Sequence, residues 1–337
     1  MSWRDQLREG VAIPLHPLAL TSQRRLDERR QRALTRYYLA AGAGGVAVGA
    51  RANLGDRRAD LYQPVLELAM EELRGEEAVK LAAVAGDAAQ AVREAECAAS
   101  AGYDAVLVTP AALPDAPLAE VLDHVRAIAG ILPVFASCVQ PPAGGRALPP
   151  PFWRELAGIP AVAAIRVAPH DRCQTLDVVR AVAASGRAGE IALYSGNPAH
   201  LVVDLLTPWR FGDTTVRMAG GLLDHWAVWT LRAARMLEQV REEVRREKPI
   251  AQSWLTLAAE ITDASAAVRD AAHDYRGAWP GIHEVLRRQG LLEGRWCPDP
   301  DRDLSPGQVE EIDRVCGAYP HLQDDAFVQE HLDRWLS

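Results

Sequence analysis

Eight short runs of Val, Ile, Leu and Ala recur roughly every 30 residues through the first two thirds of this 337-residue chain, beginning near Val11, Gly45, Lys80, Ala105, Pro133, Val162, Glu190 and Thr215. The runs show little polar alternation, which is the pattern of strands buried on both faces, as in a parallel sheet. Parallel neighbours need a crossover of a dozen or more residues, and helix-like stretches fill the gaps here. Repeated βα units of this number predict an α/β fold, a closed (β/α)8 TIM barrel. A bare barrel takes roughly 250 residues, so the rest of the chain is expected to form a C-terminal helical extension. The boundaries expected are residues 1–235 for the barrel and 236–337 for a helical region packed on it.

Charge narrows the partners. The net charge of -8 and pI near 5.6 lack the clustered positive charge that nucleic acid or an anionic membrane would require. The N-terminus, MSWRDQLREG, is charged from its fourth residue, and no apolar stretch is long enough to span a bilayer, so a cytoplasmic location is expected. The five cysteines, Cys97, Cys138, Cys173, Cys297 and Cys316, are odd in number and without CxxC pairing, which suits reduced thiols. Histidines never fall at HxH or HExxH spacing, so no metal and no cofactor is expected.

Helix punctuation supports the ladder. Asp87 followed by Gln90 reads as a cap, with Gly102 as a stop, and the prolines at 149–151 mark a break before the helix FWRELA. Gly42, Gly44 and Ala47 imitate a dinucleotide fingerprint but precede a strand, the wrong order for a phosphate at a helix N-terminus. Past residue 222 the pattern turns helical, with a last helix expected to be opened by Ser305 with Gln308 completing a capping box. Trp226, Trp229, Trp254, Trp279, Trp296 and Trp335 concentrate in this part and are expected to pack it against the barrel or a neighbouring subunit.

Barrel enzymes carry their chemistry at the C-terminal ends of the strands. Those ends supply His16, then Arg51 and Asn53, then Asp87, Thr109, Ser137 with Cys138, Arg166 with His170, and Ser195 with Asn197.

The order of these landmarks resembles the dihydrodipicolinate synthase and N-acetylneuraminate lyase family over most of residues 8–240. Its carriers are HPL at His16–Leu18, AGAGGVAVG at Ala41–Gly49, VLVTP at Val106–Pro110, ILPVFAS at Ile131–Ser137, AIRVA at Ala164–Ala168 and LYSGN at Leu193–Asn197. The resemblance implies a barrel that holds a keto acid as an imine on a strand-six lysine, and assembly as a dimer or tetramer. Several implied site positions differ. Arg166 stands where the family has its lysine, Gly49 to Asn53 read GARAN instead of GTTGE, and Ala111, Ala112 and Ser137 stand where the family has tyrosines. Gly49 and Gly196 are retained.

A guanidinium stays protonated at any usable pH and its nitrogens are poor nucleophiles, so Arg166 is excluded as an imine former. Only Lys80 and Lys248 are lysines, one opening the third run and one in the helical tail. The expectation is therefore a divergent lyase-like protein acting without an imine on a carbonyl- or carboxylate-bearing metabolite larger than pyruvate, by C–C cleavage, condensation, dehydration or cyclisation. In that reading Arg166, His16 and His170 are catalytic, and Arg51, Asn53, Thr109, Ser137, Ser195 and Asn197 bind substrate. The alternative is a non-catalytic binding or structural homologue, with Arg166 neutralising a buried acid such as Asp87. An imine-forming aldolase is a third reading, open only if Lys80 reaches the barrel mouth.

Overall fold

The computed structural model describes residues 1–50, 60–110, 113, 115–139, 146–246 and 248–337. Eight parallel strands alternating with helices make the fold a (β/α)8 TIM barrel with additional C-terminal helices. By its contacts the chain divides into two compact units, residues 1–11 with 79–222, and residues 12–78 with 223–337.

The first unit contains β3 (Val79–Val84), β4 (Ala105–Val108), β5 (Val134–Cys138), β6 (Val162–Val167), β7 (Ala192–Ser195) and nearly all of β10 (Met218–Leu223), hydrogen-bonded in that order and all parallel. Every residue of β4, β5 and β6 is buried, which explains the missing polar alternation. The caps follow the expected chemistry. Asp87 accepts from the Gln90 amide at 2.9 Å to open the helix Ala88–Ala101, and Gly102 closes it in the left-handed region at φ 93°. Pro150 and Pro151 do not merely precede a helix; they form the first turn of Pro150–Ala157, where no intrahelical N–H is needed.

The eighth run divides. Thr214–Val216 (β9) pairs antiparallel with Trp209–Phe211 (β8) in a hairpin turning at Gly212, and the eighth barrel strand begins only at Met218. The turn signal is Gly212-Asp213 between two β-prone triplets.

In the second unit β1 (Ala12–Pro14) and β2 (Gly45–Val48) are joined by a parallel bridge at Leu15 and Ala47. The helices Glu28–Ala40, Tyr62–Leu73, Thr230–Arg246, Ser253–Val268, Ala278–Arg288, Gln308–Ala318 and Asp325–Trp335 complete it. The Ser305 amide does reach Gln308 Oε1 at 3.1 Å, but the helix starts at Gln308 after Gly307, and Asp325–Trp335 follows it. Trp226, Trp229, Trp279 and Trp335 are buried, the last against Tyr37 at 5.5 Å between ring centres. The buried Asp324 ties distant segments together: it accepts from Tyr37 Oη at 2.9 Å and from the amides of Leu231 and Arg232 at 2.7 and 3.2 Å. A carboxylate from far along the sequence thereby satisfies the first turn of Thr230–Arg246. No described helix is long and apolar enough to cross a membrane.

Candidate active site

Side chains two apart on a strand share a face, and along β5 this puts Phe135 and Ser137 on one side. Phe135 meets Tyr194 of β7 edge-on at 5.2 Å between ring centres. The Tyr194 hydroxyl donates to Leu7 O at 3.0 Å and accepts from the Val11 amide at 3.2 Å. One step nearer the C-terminal strand ends, Ser137 is in register with Arg166 of β6.

Arg166 is only 9% exposed. Its Nε donates to the Leu222 carbonyl of β10 at 2.7 Å, Nη1 to Ser137 Oγ at 3.2 Å and Nη2 to the Gly196 carbonyl at 3.3 Å. The side chain thus reaches from β6 past β7 to β10, locked by three oriented donors. Gly196 is required by this seat, since a Cβ there would come within 2.6 Å of Arg166 Nε. Asp87, the acid considered as a partner for Arg166, is exposed and occupied as a helix cap.

The neighbouring candidates divide by face. Ser195 follows Tyr194 and turns the other way, its Oγ donating to Asp204 Oδ2 at 3.1 Å, while Arg172 pairs with the other oxygen of Asp204 at 2.5 Å. Burial pushes the Asp204 carboxyl up, opposed by Arg172. Asn197 is spent on the backbone, with Nδ2 donating to Pro169 O at 2.9 Å and Oδ1 accepting from the Ala199 amide at 3.0 Å. It therefore staples the loop after β6, which carries the exposed His170. Thr109 lies half-buried just beyond β4. Cys138 is buried and its thiol is pushed up to about 12 by desolvation, with Arg166 acting in the opposite direction, which rules out a resting thiolate.

His16 belongs to the second unit. Its Nδ1 lies 2.8 Å from Pro17 O and 3.0 Å from Gln31 Nε2, and its Nε2 lies 2.9 Å from Thr35 Oγ1. Burial lowers its pKa to about 4, so the ring is neutral near pH 7. Arg51, Asn53, Ala111 and Ala112 lie outside the described residues. Lys80 is the second residue of β3, at the N-terminal end of the strand, with its amide bonded to Asp104 Oδ2 at 2.8 Å; Lys248 is exposed in the second unit. Among the described residues no cluster of His, Cys, Asp and Glu is arranged to hold a metal ion.

The structure brings Arg166, Ser137 and Gly196 together and sends Ser195 to the opposite face of its strand. Two participants escape a reading of the sequence. Asp204 leaves a faint signal, a single acid inside the apolar run LVVDLL, whereas the Leu222 carbonyl leaves none because any residue supplies one.

No protein-family model matches the sequence, and no curated protein matches it. Solved structures do. The dihydrodipicolinate synthase of Oceanobacillus iheyensis superposes with a TM-score of 0.73 at 17% identity, covering 95% of this chain and 100% of the other. An N-acetylneuraminate lyase from Fusobacterium nucleatum gives 0.72 at 15% identity, with 93% and 99% covered. The sialic acid aldolase of Ruminococcus gnavus gives 0.73 at 15% identity, with 93% and 98% covered. The chain has the fold of the dihydrodipicolinate synthase and N-acetylneuraminate lyase family. At such identities the aldolase fold is what the likeness carries, and the chemistry of this aldolase-fold chain rests on its own residues.

Proposed function

We propose that this aldolase-fold chain binds a carbonyl- or carboxylate-bearing metabolite larger than pyruvate and acts on it without an imine, in a C–C cleavage, condensation, dehydration or cyclisation. The observation that carries the reading is the seat of Arg166 at the C-terminal end of β6, where three hydrogen bonds to Leu222, Ser137 and Gly196 hold a permanent cation in one orientation. A guanidinium fixed in advance is suited to hold a carboxylate or to stabilise an enolate as its charge develops. The Ser137 hydroxyl accepts from Arg166, which leaves its own proton to be offered to a substrate oxygen. Thr109 supplies a second hydroxyl, and the exposed imidazole of His170 supplies the proton-transfer group. Arg51 and Asn53 complete the proposed substrate set. His16 receives no proton-transfer role, because a ring that is neutral down to about pH 4 and engaged by Thr35 and Gln31 is a poor shuttle at pH 7.

A non-catalytic binding protein is the second reading. Ser195 and Asn197, both expected to touch substrate, are committed to Asp204 and to the backbone, and this favours it. In either case we propose a cytoplasmic homodimer or homotetramer.

Borohydride reduction in the presence of pyruvate and of longer 2-oxo acids, followed by mass spectrometry, tests the absence of an imine. The expected spectrum is that of the unmodified chain, and an adduct on Lys80 or Lys248 overturns the proposal. A panel of carboxylated metabolites should contain one that raises the melting temperature of the native protein and leaves that of Arg166→Met unchanged. Turnover of that compound separates the enzyme from the binding protein.

A further inference from the structure

The second unit holds a small cavity, about 40 Å³, whose walls are the buried His225, Trp226, Trp229, Met236 and Ile261 and whose lining also includes the half-buried Leu257 and the exposed Arg232. Two features of the wall are unusual. Both ring nitrogens of His225 and the indole nitrogen of Trp229 are buried without a hydrogen-bond partner, in residues only 5% and 4% exposed. Nearly all buried polar groups find partners, so three such atoms in two adjoining rings call for an explanation. The rings meet edge-on at 5.7 Å between centres. Trp229 also holds a left-handed backbone at φ 58°, an outlier for a bulky side chain, at the entrance to the helix Thr230–Arg246.

We propose that this cavity is a second small-molecule site, independent of the barrel-end site, for a short apolar molecule with a single hydroxyl head, such as a short-chain alcohol. The chemistry of the orphaned atoms selects that head. An indole nitrogen only donates, while a neutral imidazole donates at one nitrogen and accepts at the other. A hydroxyl both accepts and donates, so one such head can accept from the Trp229 indole N–H and donate to one ring nitrogen of His225. Desolvation lowers the His225 pKa to about 4, so the ring is neutral at pH 7 and keeps one nitrogen as an acceptor for a hydroxyl. The space suits a hydroxyl and its first carbons and excludes a sugar or nucleotide. Leu257 and Leu322, both half-buried, extend the apolar lining for the rest of the ligand.

The test is a titration of the intact protein, labelled with 5-fluorotryptophan, with 1-butanol and with methyl propyl ether. The ether matches the alcohol in size but lacks the donor. The ¹⁹F resonance of Trp229, assigned with Trp229→Phe, should move saturably with 1-butanol, and the ether should bind at least tenfold more weakly. His225→Phe, which keeps the ring but removes both orphaned nitrogens, should fold at least as stably and lose at least tenfold in alcohol affinity. A Trp229 signal that does not saturate below ~100 mM alcohol, weaker than any specific millimolar site, overturns the proposal. Equal binding of alcohol and ether, or unchanged affinity in His225→Phe, overturns it as well.

Discussion

Arg166 lies across Gly196 so closely that its Nε, Cγ and Cζ occupy the space a Cβ would need, while its Nη2 donates to the carbonyl of the same glycine. The absent side chain and the backbone oxygen of Gly196 thus work as one seat for the guanidinium.

Gly196→Ala is expected to dislodge Arg166. The clash falls on the inner part of the side chain, whose Nε is tied to Leu222 O at 2.7 Å, so relief requires breaking that bond. Overpacking of this kind costs about 1–3 kcal/mol. Urea unfolding should show the loss, with a parallel loss of any carboxylate-dependent thermal shift. Wild-type values for both would mean that the arginine seat is loose.

Arg166→Met removes three donors at once and leaves the Leu222 and Gly196 carbonyls without them. Each buried acceptor deprived of its partner costs about 1–3 kcal/mol, so the melting temperature should fall. Arg166→Lys should recover only part of it, because an ammonium cannot reproduce the planar fork. Equal melting temperatures for the two variants would contradict the geometry.

Acid should unfold the second unit first. His16, His225 and His283, all in that unit, are held by burial at about 4, below the ordinary 6.5. Between those values the unfolded chain carries protons that the folded one does not, so stability falls as the pH drops from 6.5 toward 4. Each histidine contributes on the order of 3 kcal/mol to the loss once the pH is well below 4. Hydrogen exchange at pH 7, 6 and 5 should show protection lost earlier in residues 223–337 than in β4 to β6. Uniform loss across both units would count against this assignment.

Asp324→Ala should destabilise the helix Thr230–Arg246 from a distance. It frees the Leu231 and Arg232 amides and strands the Tyr37 hydroxyl, a cap-like loss of about 1–2 kcal/mol with a further cost for the hydroxyl. Asp324→Asn, which keeps an acceptor, should retain part of it. Thermal unfolding of the two variants checks the order.

Residue order alone specifies the barrel. Apolar runs at βα spacing, the Asp87 cap, the Gly102 stop and the loss of strand pattern after residue 222 are local signals, because burial on both faces and capping act over a few residues. The same reading singles out Arg166, since a charged residue inside the run AVAAIRV stands out wherever it points. What surrounds Arg166 is a tertiary matter. That Ser137 accepts from it, that Gly196 makes room for it, and that Ser195 next door turns to Asp204 all depend on strand register and on which face each residue takes. A shift of one residue exchanges the faces. His16 shows the same limit. From its place after the first strand it reads as a catalytic base, and only the fold reveals Thr35 and Gln31 around its ring and the burial that keeps it uncharged. Periodicity is written along the chain, whereas a partner brought from another strand or helix is set by packing.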